Sequence, residues 1–589
     1  MKVSDYIAEF FAKKGIGHAF VVTGGCIVHC IDSLAKTDGI QYIPVQHEQA
    51  GAMAADSYAR VKNSVGLAMA TSGPGATNLL TGVCCSYYDS IPVFLVTGQV
   101  PAGQLKRDSK SRQIGFQETD VVSIFESVTK YSALIDDAKN IRYELEKAYH
   151  LATEGRPGPV LLDICDDVQR ANIDPKELKS FVPPKEEGKR DYILDKMGEV
   201  LELLKNSERP ILIPGQGIRH GNAIESFLKL ADMLQVPIAP TWGAMDFLSF
   251  DHPLVVGNFG VTSGRSGNFA VQNSDLVLAI GTRLDTHETG PRVNTFARGA
   301  KRVMVDIDES ELEKFKKMDY KINVPIQADA KEFISVFIES IKDFPKKDIS
   351  PWRERVNNWK EKYTCCLGEY YDQKEKVNPY VFMRELSKLS PDESYIIPDC
   401  GGNLIWTMQG YEIKSGQRLL TSFNHSPMGY AVPGAMGAAL ATDKPIICIT
   451  GDGGCQMNIQ DLATIVYYQL PVKIFLMNNH GHGIIRQTLN TWLDKRHNAI
   501  GKDSGLAEPD LVKVAEAYGL RTISIYDHSE IKDKVNEVFN FEGPIFCNVE
   551  MKPDQVLEPK LVFGKPIEDS APLLNREEFN ANMIVPPVD

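Results

Sequence analysis

The chain has no C-x-x-C pair, no run approaching ~18 uninterrupted apolar residues, no long basic stretch and no low-complexity tract. Each absence closes a class of function. The 11 cysteines form no even framework, so neither a disulfide scaffold nor a structural zinc site fits. They read as free, buried thiols of a reducing compartment, which points to the cytoplasm. Cys26, His29 and Cys30 lie close together, but no second ligand pair stands by them. They read as a turn entering a helix, not a metal cluster. Without an apolar span, no membrane crossing is expected. The opening MKVSDYIAEFFAKKG lacks a signal peptide's apolar centre and cleavage site. It reads as an amphipathic helix capped by Ser4. Lys plus Arg number 64 against 77 Asp plus Glu, a formal charge of −13. That balance argues against nucleic acid as a partner.

What is present is an ordinary globular mixture, 43% hydrophobic and 24% charged over 589 residues. The length suits three large domains or about four of common size. Two polar, proline-broken stretches, 182–191 (VPPKEEGKRD) and 343–378, divide it; part of the second is expected to be helical. The expected units are 1–180, 190–345 and 375–560, followed by a tail, 561–589. Each unit alternates short apolar runs with amphipathic stretches. Expected buried strands are 65–71, 92–98 and 159–164, then 210–215, 275–281 and 302–308, then 395–399, 445–453, 472–479 and 544–550. Apolar strands alternating with helices predict α/β units built on parallel sheets covered on both faces. No fixed-period repeat appears in the sequence.

Open parallel sheets bind ligands at the carboxyl ends of their strands. One run, PIICIT, ends in Gly451-Asp452-Gly453-Gly454, glycines that allow a tight turn and close approach to a phosphate. Asn458 is expected to cap the helix that follows, IQDLATIVYYQ. The next strand, VKIFLM, ends at Asn478-Asn479. Asp452 and Asn479 would thus stand at the ends of successive strands. With a loop carbonyl they offer hard oxygen ligands suited to magnesium shared with a diphosphate. A lone GDG is most often a plain turn; the GDGG…NN pair is far more specific.

Gly451-Asp452-Gly453, 24 residues and then Asn478-Asn479 resemble the thiamine diphosphate fingerprint. The segments VTGG (22–25), HEQAGAMAADSYAR (47–60), TSGPGATN (71–78), DSIPVFLVTGQVP (89–101) and GFQETD (115–120) extend the likeness. In that order they resemble the acetolactate (acetohydroxyacid) synthase branch, as far as about residue 560. The resemblance implies a fold of three α/β units, binding the cofactor's pyrimidine, a flavin and its diphosphate. Glu48 matches the glutamate that hydrogen-bonds the aminopyrimidine ring. Met428, followed by Gly429, matches the bulky residue that bends the cofactor. Gly451, Gly453 and Gly454 match the diphosphate turn. Asp452, Asn479 and the carbonyl of Gly481 match the magnesium ligands. Gly24 and Gly25 match the loop facing the reacting carbon, and Gln117 a glutamine of the active-site channel. The middle unit resembles the branch's FAD-binding domain through Gly215, Gly217, Arg283 and Asp306, with Asp308 and Asp329, the flavin having a structural role. In the branch the catalytic site lies between two chains, so a homodimer or homotetramer is implied.

The sequence also departs from the pattern. Thr488 stands where the branch carries tryptophan, His287 where it carries arginine and His29 where it carries proline. With His480 and His482 these predict a roomier, more polar acceptor site, with His29 catalytic. The pieces GDGGCQMNIQDL, NNHGHGIIRQT and LLNREEFNANMI are more similar to acetolactate-synthase-like proteins of bacterial surface-sugar pathways. Some of those transfer an acetyl unit from pyruvate to a keto-sugar. The expectation is therefore an enzyme that decarboxylates a 2-oxo acid, pyruvate first, and passes the acyl unit to an acceptor carbonyl, either a 2-oxo acid or a keto-sugar. A flavin oxidase, a simple decarboxylase and a non-catalytic binder of the same fold are the rivals. Retention of Glu48, Asp452 and Asn479 together weighs against the binder.

Overall fold

Short runs of valine, isoleucine and leucine with no polar alternation are stable as strands only where both faces are covered. All ten expected runs are strands in the computed structural model, which describes residues 1–185, 188–345 and 347–588. Glu186 and Glu187 of the first expected linker, Lys346 of the second and Asp589 of the tail lie outside the described residues.

The first sheet contains β1 (His18–Val21), β2 (Gln41–Pro44), β3 (Gly66–Ala70), β4 (Val93–Gln99), β5 (Tyr131–Ile135) and β6 (Val160–Cys165), in the order β2-β1-β3-β4-β6-β5. The second contains β7 (Pro210–Pro214), β8 (Leu276–Ile280), β9 (Lys301–Asp306) and β10 (Val324–Gln327), in the order β10-β9-β8-β7. The third contains β11 (Tyr395–Pro398), β12 (Arg418–Leu419), β13 (Ile446–Gly451), β14 (Val472–Asn478), β15 (Arg521–Ile525) and β16 (Ile545–Glu550), in the order β12-β11-β13-β14-β16-β15. Pairing in all three is parallel. The first and third sheets have the same strand order, an architectural repeat that leaves no periodic trace in the sequence.

Those two sheets share one apolar core through a pair of helices, Glu48–Lys62 and Ala431–Ala441. Both are rich in alanine and glycine, which lets their backbones come close. A Cβ on Gly437 would lie 2.1 Å from the carbonyl oxygen of Ala54. Two expected caps differ. The first helix spans Val3–Lys13 with Lys2 at its N-cap, and Ser4 is buried in the first turn, where its hydroxyl accepts from Ser33. Asp5 takes the backbone N–H of Lys2 instead. Asn458 makes no side-chain cap. Its amide donates to the carbonyl of Gly429 and accepts from Gln49, so it ties the two units together. The expected helix after it is split into a 3₁₀ turn, Ile459–Asp461, and a helix, Leu462–Tyr467.

Within 343–378, the helix Ser350–Lys362 buries Trp352, Val356 and Trp359 against the second sheet's core. The tail returns to the same region. Asn268 donates to the carbonyl of Ile567 at 2.9 Å, Arg265 to that of Ser570 at 3.0 Å and Asn273 to that of Asn582 at 3.1 Å.

Gly437→Ala should destabilise the chain by ~1–3 kcal/mol through overpacking against Ala54. Gly198, exposed in the helix Arg190–Asn206 with nothing near its Cβ position, should respond oppositely. There Gly→Ala should stabilise by roughly 0.5–1 kcal/mol. Denaturant unfolding of both variants checks the pair of signs.

Candidate active site

In the third sheet, β13 ends at Gly451 beside Met477 of β14. Asp452 opens the helix Asp452–Met457 at that edge. Its Oδ1 accepts from the N–H of Gly453 and its Oδ2 from the N–H of Gly481, both at 2.7 Å. Burial pushes the Asp452 carboxyl above its ordinary value, and the two N–H groups work against that rise. A cation would offset the same burial. Gly481 sits at φ +130°, with the Ile500 carbonyl oxygen 2.2 Å from its Cβ position, so only glycine fits the turn. The buried Asn479 side chain lies against Gly483, whose Cβ position is 2.1 Å from Nδ2. One carboxylate, one amide and the backbone of Gly481 thus converge at the ends of β13 and β14. Among the described residues no group of three or more His, Cys, Asp or Glu side chains is disposed to hold a metal. The Asp452 set needs only one.

The glycines around Asp452 form a floor without side chains. At Gly453 an added Cβ would lie 2.8 Å from Met428 Cε and 2.9 Å from His482 Nε2, so both side chains reach the turn. At Gly454 it would meet Asp399 Oδ2 at 2.7 Å, and at Gly451 the Asn403 amide at 2.8 Å. Gly429 has φ +91° and donates its N–H to Asp399 Oδ1 at 2.9 Å. The fully buried Asp399 also accepts from Thr450 Oγ1 and the N–H of Cys400, and so fixes the floor.

A second group gathers at the first sheet. Glu48 is the first residue of its helix and accepts from Asn78 at 2.9 Å. A Cβ on Gly75 would lie 3.3 Å from Glu48 Oε1, one on Gly73 2.7 Å from the Gln117 carbonyl, and one on Gly24 2.5 Å from Thr71. The 71–75 turn therefore links Glu48, Gln117 and the Gly24-Gly25 loop. His29 stands 3.6 Å from Asp166 instead.

A third feature is a cavity of about 830 Å³, with Gly217, Arg283 and Asp306 in its wall. Gly215 is not in that wall. Its Cβ position is 2.3 Å from the Gly281 carbonyl oxygen, so it serves close packing of the β7 and β8 ends. Burial pushes Asp306 up to about 6 and Glu288 up to about 8. His287 also lines the cavity, against Trp242 and Thr262, and burial pushes it down to about 4. The expectation that His480 adds polarity to an acceptor site does not hold in this geometry: its ring faces Glu550 at 3.1 Å, a carboxylate that Lys376 also holds. Thr488, in the helix Gly483–Trp492, donates its hydroxyl back to the Ile484 carbonyl at 3.1 Å.

Comparison with known proteins gives this geometry its context. Residues 1–124 match the N-terminal binding domain of thiamine pyrophosphate enzymes, residues 197–337 their central domain and residues 399–549 their C-terminal binding domain. The chain is 31% identical over 567 residues to an acetolactate synthase large subunit of Cyanidium caldarium, covering 95% of this chain and 94% of that protein. It is 32% identical to a probable acetolactate synthase large subunit of Methanocaldococcus jannaschii, covering 95% and 93%. With the chloroplastic acetolactate synthase 2 of Nicotiana tabacum it shares 30%, covering 96% and 85%.

The chain belongs to the acetolactate synthase family of thiamine pyrophosphate enzymes. The two matched binding domains take in β1–β4 of the first sheet and most of the third, the pair of sheets with a common strand order. In this acetolactate synthase-like enzyme, two groups at the sites escaped sequence reasoning. Asp399 follows a strand without any motif. Arg156, from the loop before β6, enters the cavity wall and pairs with Asp308 at 2.9 Å and Glu311 at 2.8 Å. His482, which the sequence offered as a polar group of the acceptor site or a plain loop residue, has its ring against Gly453. No helix among the described residues is long and apolar enough to cross a membrane.

Proposed function

We propose that this enzyme binds thiamine diphosphate with magnesium between two copies of the chain and joins the acyl unit of a 2-oxo acid, pyruvate first, to an acceptor carbonyl. The observation that carries the reading is the convergence of Asp452, Asn479 and Gly481 over a glycine floor at the ends of β13 and β14. The donor set is all hard oxygen and fits magnesium. Gly451, Gly453, Gly454 and Gly429 leave room for a diphosphate. Bound thiamine diphosphate supplies the carbanion chemistry that cleaves the 2-oxo acid and carries its acyl unit. Met428 would support the bend of the cofactor from below. Glu48 of the partner chain would share a proton with its pyrimidine ring, the carboxylate being oriented by Asn78. The family resemblance, in which the catalytic site lies between two chains, favours a site completed by a second copy. Gly24, Gly25 and Gln117 would then face the reacting carbon, with His29 nearby.

The 830 Å³ cavity is large enough for a flavin nucleotide, and we assign it FAD in a structural role, held by Gly217, Arg283 and Asp306. We read the chain as units 1–180, 190–345 and 375–560 with the tail 561–589. Its free cysteines suit the cytoplasm. A second reading, a keto-sugar acceptor, is favoured by Thr488 and His482. A tryptophan at 488 would bury ~150–250 Å², and threonine leaves that wall open. His482 adds a polar group over Gly453.

Glu48→Gln should lower pyruvate turnover by ~10²–10⁴-fold with little change in cofactor affinity. Near-normal turnover removes Glu48 from catalysis. Asp452→Ala should act on the other term, weakening thiamine diphosphate binding so that excess cofactor restores part of the rate. Unchanged affinity in a titration would show that Asp452 holds no metal. Given pyruvate and 2-oxobutyrate together, the enzyme should show little preference for 2-oxobutyrate as acceptor, and Thr488→Trp should narrow the acceptor range without stopping decarboxylation. Mostly acetohydroxybutyrate from the unmodified enzyme, read by mass spectrometry, refutes the open pocket.

A further inference from the structure

Between the first and third sheets lies a buried ionic cluster that the proposed chemistry does not use. Arg60, in the last turn of the Glu48–Lys62 helix, has a side chain only 3% exposed. Its Nε donates to Asp56 at 2.7 Å and its Nη2 to Asp89 at 2.8 Å, and both carboxylates are 0% exposed. One guanidinium facing two carboxylates leaves a net negative charge in the interior. Such a cluster persists only if further donors satisfy the carboxylate oxygens.

Several of those donors come from one segment of the third unit. Asp89 accepts from the N–H of Phe423 at 2.8 Å, the N–H of Asn424 at 3.1 Å and the side-chain amide of Asn424 at 2.6 Å. Asp56 accepts from the hydroxyl of Tyr430 and, within its own unit, from Ser86 at 2.9 Å. The two aspartates therefore grip positions 423–424 and 430, and between them lie Met428 and Gly429. From the opposite side Asp399 holds the N–H of Gly429. We infer that Asp56, Arg60 and Asp89 are positioning residues: they clamp the 423–430 segment from the first unit and so set the height of Met428 at the Gly453 floor. Arg60 bridges the two carboxylates and holds them side by side, and hydrogen bonds made within such an ion pair are stronger than neutral ones. The inference rests on the reading of Met428 as the support of the bound cofactor.

The test uses the full-length enzyme with thiamine diphosphate and magnesium. Asp89→Asn replaces the charge at nearly constant shape. Hydrogen exchange, followed by mass spectrometry, should speed up by about tenfold or more in peptides covering 421–430, as expected for a lost bond to a charged group. Exchange in β13 and β14 should stay as it was. Pyruvate turnover should fall by a similar factor, while cofactor affinity, anchored at Asp452, changes less than about threefold. If Asp89→Asn does not fold, Tyr430→Phe leaves every charge in place and should produce the same pattern at smaller amplitude. Unchanged exchange at 421–430 overturns the clamp. Faster exchange with normal turnover also overturns it, provided that Met428→Ala impairs turnover. If Met428→Ala is itself fully active, the reading of Met428 falls, and faster exchange still upholds the clamp as the holder of the segment.

Discussion

The close contact of the helices Glu48–Lys62 and Ala431–Ala441 is the constraint on which the rest of the molecule depends. Their alanines and glycines bring Gly437 against the Ala54 carbonyl, nearer than any side chain would allow. That approach fuses the cores of the first and third sheets. It also fixes the two helix starts, and each start bears on the candidate site. Glu48 opens one helix. Met428 and Gly429 immediately precede the other. A looser seam with larger side chains would keep both sheets intact and leave both helix starts less firmly fixed.

Polar groups reinforce the seam at each end. Toward Glu48, Asn458 bonds Gln49 and the Gly429 carbonyl, while Asp461 takes the N–H of Gln46. Toward the far end of the same helix, the Arg60 cluster grips the segment leading to Met428. Apolar packing alone tolerates sliding of one surface over another, because it is not directional. Buried hydrogen bonds to charged groups are directional and costly to leave unmade. The seam therefore has one register.

The central unit contributes differently. Its four-stranded sheet presents a cavity in whose wall burial pushes Glu288 and Asp306 up and His287 down, each toward its neutral form. Such a wall tolerates a large, partly apolar ligand better than a charged one would. Arg156 reaches into it from the first unit, so the cavity is built across a boundary between units.

Much of this was legible in the chain itself. The ten apolar runs became strands because a continuous run of branched aliphatic residues has no other stable setting in a doubly covered sheet. The GDGG…NN pair marked adjacent strand ends because a glycine turn and oxygen donors at that spacing serve one purpose. Other features were not legible, since they depend on contacts between residues far apart in sequence. Asn458 looked like a cap and became a tie between units, because its distant partners Gln49 and Gly429 outcompeted the local N–H groups. His480 and His482, two residues apart, face Glu550 and Gly453 respectively, separated by the positive-φ backbone of His480 and Gly481. Sequence by itself determined the parallel α/β architecture and the chemistry of the strand ends, because both follow from local residue types. Tertiary structure alone decided which side chains meet, because Asp399, Arg156 and the Asp56–Arg60–Asp89 cluster acquire their partners only when separate sheets are packed together.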